Sequence, residues 1–253
     1  MSIGPPAFHR DQRPAAVPIW REALLGLDWL RLRSSPVCYG VGVPRGDGAP
    51  VVVVPGFLGS DWYLLELYWW LRRIGYRPYL SGIGRNAECF DLLAGRLAET
   101  IERARRETGR PVHLVGHSLG GMLSRSTAIA RPETVASLIT LGSPFQGIRC
   151  HPLLIRVSRA VRDRIHRRGQ PAECFTGDCP CGPVQALSEP LPAGIPQSAI
   201  YTRTDGIVDW RACRNDDPET DFEVRSTHIG LAFSAAAFRL IAERLAAVPA
   251  PRS

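Results

Sequence analysis

The chain has 253 residues, of which 45% are hydrophobic and 22% charged, an ordinary globular balance with enough length for a substantial core. It holds no apolar run of about 18 residues, so no membrane-spanning helix is expected, and its Pro- and Arg-rich start lacks the apolar stretch of a secretory leader. The net charge of +7 is carried by arginine without any lysine; no stretch resembles a nucleic-acid module, so nucleic acid is not expected as a partner, and the expected compartment is the cytoplasm, with peripheral membrane contact left open.

Residues 1–35 read as an N-terminal tail and helix. Met1–Pro18 is expected to be loosely attached. Ile19–Leu32 has helical spacing through Ile19, Trp20, Ala23, Leu24, Leu27 and Leu30, which predicts a helix packed on the core by that side, the other reading being an amphipathic segment against a membrane. One α/β domain is expected over 36–248. Pro36–Val43 reads as an early strand and Gly46–Gly48 as a turn. Val51–Val54, a β-branched run closed by Pro55-Gly56, reads as a central strand of a parallel sheet. A loop, Gly56–Ser60, leads to an aromatic-rich helix near Leu64–Ile74. Arg77–Leu80 is a short strand, and Glu88–Thr108 an amphipathic helix closed by Gly109.

The apolar run of Val112, Leu114 and Val115 comes next, then Gly116-His117-Ser118-Leu119-Gly120, a helix to Ala130, and a strand over Val135–Leu141. This alternation predicts an α/β fold with a mostly parallel, doubly wound sheet and helices on both faces. The rhythm breaks over 146–197, a proline-rich stretch with one basic helix near Leu153–Arg168 whose apolar side is Leu154, Val157, Val161 and Ile165. A long irregular insertion of this kind reads as a cap over the site. Strands resume at Ser198–Thr202 and Phe222–Arg225, followed by a closing helix over Ala232–Ala247 and a frayed end at Pro249–Ser253.

A strand, a G-x-S-x-G turn and a helix form the pattern of a nucleophile elbow. Ser118 must sit on a strained turn, and glycines at 116 and 120 let strand and helix approach. A serine hydroxyl needs a base for its proton, and the base needs an acid to orient it. Of six histidines, His228 alone lies late in the chain at a strand end. His9 lies in the tail, His113 on the elbow strand, His117 within the pentapeptide, and His151 and His166 in the insertion. For the acid, Asp205 follows a strand directly and precedes Gly206, which favours it over Asp209, a turn or cap residue. The amides of Phe57, after the Val51–Val54 strand, and Leu119, after Ser118, are the candidate oxyanion donors. Trp62, Tyr63, Trp69 and Trp70 suggest an apolar acyl pocket or belong to the core. Cys174, Cys179 and Cys181 cluster in sequence, and free thiols, a disulfide within the cap or to Cys213, and a zinc site completed by Cys150, His151 or Cys213 all stay open.

Val53-Val54-Pro55-Gly56-Phe57, Gly116–Gly121, Leu141-Gly142-Ser143-Pro144, Thr204–Val208 and Thr227-His228-Ile229-Gly230 together resemble the α/β-hydrolase superfamily, and within it small bacterial triacylglycerol lipases and related esterases. The chain departs from many of these at Pro55-Gly56, where His-Gly is common, and at Phe145, where His often follows Ser-Pro. The resemblance implies a serine carboxylic-ester hydrolase with Ser118, Asp205 and His228 as its triad, Phe57 and Leu119 as its oxyanion hole, an ester or lipid-like small-molecule substrate, and no metal or organic cofactor. An acyltransferase would share every motif. A non-catalytic lipid-binding or scaffold protein would not need the complete Ser–Asp–His set.

Overall fold

The computed structural model describes residues 13–171, 173–174 and 179–248; the expected loose ends at 1–12 and 249–253 lie outside them. Six parallel strands form the central sheet. They are β2 (Pro50–Val54), β3 (Arg77–Leu80), β4 (Val112–His117), β5 (Val135–Leu141), β7 (Gln197–Tyr201) and β8 (Asp221–Glu223), in the spatial order β3-β2-β4-β5-β7-β8. Because side chains alternate along a strand, Val51 and Val53 face one core and Val52 and Val54 the other. A strand buried on both faces therefore needs an unbroken apolar run, which is what β2 carries. Burying each such valine contributes about 1.5–3 kcal/mol.

Helices α2 (Leu65–Arg73) and α7 (Ala235–Ala246) cover one face, with the Trp70 and Phe238 rings packed at a tilt, their centroids 4.6 Å apart. Helices α3 (Phe90–Thr108) and α4 (Leu119–Ala130) cover the other. On α3, Phe90, Leu93, Leu97, Ile101 and Ala104 are buried at helical spacing, and Gly109 at φ 68° ends the helix, a left-handed cap conformation that suits glycine. Between β5 and β7 lie a two-residue strand β6 (Arg149–Cys150), helix α5 (Pro152–Arg167) and the short helix α6 (Gly182–Ala186). Val161 and Ile165 of α5 are buried. Among the described residues, no helix is long and apolar enough to cross a membrane.

The N-terminal region departs from its sequence reading in three places. Arg13–Pro14, expected in a loose tail, forms strand β1, paired in parallel with β6, and Ala15 N–H donates to the Cys150 carbonyl. Pro36–Val43 is no strand. Ser35 caps a single 3₁₀ turn, Pro36–Tyr39, by accepting from Val37 N–H, and Gly40 closes it at φ 75°. The segment Ile19–Leu32 is helical, as a 3₁₀ turn over Ile19–Leu24 followed by α1 (Leu25–Ser34). Its apolar side nevertheless faces outward. Trp20 is 67% exposed, Leu24, Leu27 and Leu30 are exposed too, and on α1 it is Asp28 and Leu32 that are buried. The reason is polar: Glu22 and Asp28 of this segment reach backbone amides that need acceptors, and those bonds set which side faces in.

Candidate active site

Ser118 stands directly after β4 with φ 53° and ψ −123°, a conformation that costs a non-glycine residue about 1–3 kcal/mol and is held only where the surroundings over-determine it. The surroundings do so. Ser118 N–H donates to the Leu141 carbonyl at the end of β5. A Cβ on Gly116 would lie 2.4 Å from the Gly121 backbone, and one on Gly120 would lie 2.4 Å from the carbonyl oxygens of Val54 and Pro55. The close approach of strand and helix thus requires glycine at both positions, as the pattern predicts. Leu119 opens α4, so its N–H is among those a helix start leaves without an intrahelical acceptor.

His228 follows β8 and is buried. Its Nδ1 lies 2.6 Å from Asp205 Oδ2, and the other Asp205 oxygen accepts from the N–H groups of Ile207 and Val208 at 2.8 and 2.7 Å. Burial alone would push the His228 pKa down. The Asp205 charge and hydrogen bond, with the charge of Glu22, outweigh it and hold the group above the ordinary histidine value. Asp209 points elsewhere, capping the turn at Trp210 by accepting from Arg211 N–H at 3.1 Å. Ser118 and His228 line one cavity with Phe57, Tyr63 and His117. No hydrogen bond joins Ser118 to His228 among the described residues; such contacts are often long without substrate and tighten in the complex.

The loop bearing His228 is clamped from the other end of the chain. Glu22 Oε1 accepts from Gly206 N–H at 3.0 Å and from His228 N–H at 2.9 Å, and Oε2 accepts from Ile229 N–H at 3.0 Å. Asp28 Oδ2 accepts from Ser226 Oγ, Thr227 N–H and Thr227 Oγ1 at 3.0–3.2 Å. One carboxylate therefore joins the turn after Asp205 to the turn at His228. Both contacts use the space a glycine leaves: a Cβ on Gly206 would lie 2.9 Å from Glu22 Oε1 and from the Pro18 carbonyl oxygen, and one on Gly230 would lie 2.0 Å from Asp28 Oδ2. The motif glycines 206 and 230 were the only sequence signal of this clamp.

His117, within the pentapeptide, is a second tie. Gly56 N–H donates to the Tyr63 hydroxyl at 2.6 Å, Tyr63 lies 2.9 Å from His117 Nδ1, and His117 Nε2 lies 2.9 Å from the His228 carbonyl. A carbonyl only accepts, so Nε2 carries the proton and Nδ1 accepts from Tyr63. The ring is thus neutral. Burial first, and then the charge of His228, push its pKa down to about 3. His113 is a core residue bonded to Ser137 at 2.7 Å, and His151 caps α5 by accepting from Leu153 N–H.

The loop after β2 carries Phe57. Asn86 holds it, donating from Nδ2 to the Pro55 carbonyl at 2.7 Å while its backbone bonds Leu58 and Gly59. Leu58 has φ 63°, a further strained residue beside the site. A cavity of about 240 Å³ opens beside Ser118, walled by Phe57, Phe90, Leu119, Met122, Ile148 and Leu187 and faced by Leu154, Ile155, Ser158, Arg159 and Arg162 of α5. The aromatic run reads differently from its sequence. Trp62 is 79% exposed, Trp69 is exposed, Trp70 lies in the core and Tyr63 bridges Gly56 to His117, so none of the four walls this cavity. The described cysteines are free thiols. Cys179 and Cys181 lie 3.2 Å apart, whereas Cys150 and Cys213 share a separate apolar cluster with Val208. Among the described residues, no group of three or more His, Cys, Asp or Glu is arranged to hold a metal.

A family model for the α/β-hydrolase fold matches residues 81–167. The chain is 29% identical to a triacylglycerol lipase of Burkholderia plantarii over 138 residues, 49% of this chain and 37% of the lipase. It is 31% identical to a triacylglycerol lipase of Pseudarthrobacter phenanthrenivorans over 112 residues, 39% of this chain and 34% of the lipase. The match therefore spans about a third of the length of these curated relatives. The mitochondrial palmitoyl-protein thioesterase ABHD10 of Rattus norvegicus is 25% identical over 72% of this chain and 68% of its own length. Among solved structures, the metagenome-derived lipolytic enzymes LipS and LipT are represented by a chain with TM-score 0.57 at 17% identity, covering 81% of this chain and 94% of that one. The lipase BlEst2 of Bacillus licheniformis gives 0.56 at 18%, covering 81% and 95%. At those identities the structural likeness is one of fold. The parallel sheet and these structural neighbours give this chain the α/β-hydrolase fold, and parts of its sequence are similar to triacylglycerol lipases.

Proposed function

We propose that this chain is a serine carboxylic-ester hydrolase with Ser118 as nucleophile, His228 as general base and acid, and Asp205 as the acid that orients His228. The observation that carries this reading is that Ser118, held at φ 53°, and His228, held by Asp205, line one cavity. His228 Nε2 takes the Ser118 proton as Oγ bonds to the ester carbonyl carbon. The carbonyl electron pair moves to oxygen, where the N–H groups of Phe57 and Leu119 are the proposed donors. The tetrahedral species collapses, the C–O bond to the alcohol breaks, and His228 returns its proton to the leaving oxygen. Water then repeats the sequence on the acyl-enzyme and releases the acid. None of these steps calls for a metal or organic cofactor. The stretch 146–197 acts as the cap, since α5 supplies one wall of the cavity. Two cavities, of about 240 and 250 Å³, meet at Phe57, Ser118 and Leu154, and together they fall within the usual ligand-pocket range of about 300–1,000 Å³.

An alkyl phosphonofluoridate tests the nucleophile directly. The expected result is one phosphonyl group per chain, on the peptide carrying Ser118, with loss of p-nitrophenyl ester hydrolysis. Hydrolysis of the ester series from short to long acyl chains then places the enzyme between esterase and lipase. Acyl-enzyme that resists water but discharges to an added alcohol would make it an acyltransferase. Absence of both label and turnover would leave a binding or scaffold protein.

Glu22 is a positioning residue in this mechanism. Glu22→Gln keeps one acceptor oxygen but turns an N–H₂ toward a backbone N–H and removes a negative charge near His228. Losing a charged hydrogen bond costs about 1.5–3 kcal/mol, so kcat is expected to fall about 10- to 100-fold. The base must be neutral to act, so kcat/KM rises with pH through the His228 pKa. Removing the carboxylate lowers that pKa and moves the acid limb of the profile to lower pH. A fall in kcat with an unmoved acid limb would reduce Glu22 to a purely structural tie.

A further inference from the structure

We propose that Arg159 and Arg162 form an anion-binding subsite of the Ser118 cavity, so that the favoured substrates carry a carboxylate or phosphate oxyanion on an otherwise apolar ester or thioester. The inference rests on the hydrolase reading above and deepens it to a substrate class. Both arginines lie on α5 and line the cavity that Ser118 opens into, and among the described residues no carboxylate lines it with them. The rest of its wall is almost wholly apolar. Two other arginines of the same region are neutralised. Arg164 and Arg168 lie 3.4 and 3.0 Å from Glu88. Arg159 and Arg162 have no ion-pair partner among the described residues.

Three residues apart, the two guanidinium groups share one helix face, where like charges repel. A bound oxyanion would remove that repulsion. The apolar wall strengthens any pairing by lowering the local dielectric, and the planar fork of arginine matches carboxylate and phosphate oxygens in pairs. Ser118 is buried, Arg162 half-buried and Arg159 exposed. The cationic end is therefore the outer end, and the anion belongs on the part of the substrate farthest from the scissile carbonyl. That part is the far end of the acyl chain or the far end of the leaving group.

Two matched pairs separate these sources. The mono-p-nitrophenyl ester of adipic acid against p-nitrophenyl hexanoate places a carboxylate at the acyl terminus. Hexanoyl-coenzyme A against the N-acetylcysteamine thioester of hexanoate places phosphates on the leaving group. In at least one pair, kcat/KM is expected to favour the anionic member by about ten-fold, as a hydrogen bond between charged partners warrants. Rising salt should erode that preference. The double variant Arg159→Gln, Arg162→Gln keeps good helix formers on α5. It should bring the ratio down to that of a charge-blind site while turnover of the neutral members holds. Equal or poorer turnover of both anionic members by the native protein would overturn the subsite while leaving the ester hydrolase intact. So would a variant that slows neutral and anionic members alike. Failure of the hydrolase reading itself shows differently, as no turnover of any of the four substrates above that of Ser118→Ala.

Discussion

Replacing Ser118 by alanine is expected to lower kcat on p-nitrophenyl esters by about 10⁶-fold, the loss typical of removing the nucleophile of a Ser–His–Asp set. The substitution removes only the reacting oxygen. Ser118 Oγ makes no hydrogen bond among the described residues, and its backbone is held by other groups, through the Leu141 carbonyl and the glycines at 116 and 120. Alanine meets the same φ of 53° with the same Cβ, so the strain and the fold are retained. Thermal unfolding should therefore be nearly unchanged while turnover collapses to what the oxyanion donors and binding alone supply, about 10³–10⁴ over water. A variant that keeps more than a hundredth of native kcat, with an unchanged melting curve, would move the nucleophile away from Ser118.

Asp205→Asn should cost about 10⁴-fold in kcat, for a reason written in the hydrogen bonds. One Asp205 oxygen accepts from Ile207 and Val208 N–H; the other faces His228 Nδ1 at 2.6 Å. In asparagine the amide oxygen stays with the two backbone donors, because the N–H₂ cannot. That turns the N–H₂ toward His228 and forces Nδ1 to accept. The ring proton then sits on Nε2, where it blocks the transfer from Ser118. The negative charge that raises the His228 pKa disappears as well. Nitrogen-15 spectra of the imidazole ring report the tautomer directly: Nδ1–H in the native protein and Nε2–H in the variant. A kcat within ten-fold of native would show that Asp205 does not orient the base.

Much of the site is legible in the chain before folding. Gly116-His117-Ser118-Leu119-Gly120 between an apolar run and a helical run specifies the elbow, because the turn needs glycine where strand and helix touch, and those requirements are local. The valines of β2 and the apolar spacing of α3 specify elements for the same local reason. His228 stands out by its place in the chain. The preference for Asp205 over Asp209 needed geometry to become a contact: both lie in one short loop, and only the folded loop turns Asp205 to the ring and Asp209 to its own turn.

The tertiary structure alone decided the surroundings of these residues. Glu22 meets His228 across 206 positions of sequence and Asp28 meets Thr227 across 199, and no periodicity reports a contact of that reach. The helical spacing of Ile19–Leu32 is real, but spacing records only that one side is apolar. Which side faces in was settled by backbone amides around His228 that needed acceptors, and the carboxylates turned inward. The aromatic run behaves the same way. Trp62, Tyr63, Trp69 and Trp70 share a composition but meet solvent, a hydrogen-bonded tie and the core in turn. Local sequence determines turns, strands and helices because their energetics lie within a few residues. The orientation of each face, and the polar ties that hold the site, depend on what the rest of the chain brings against it.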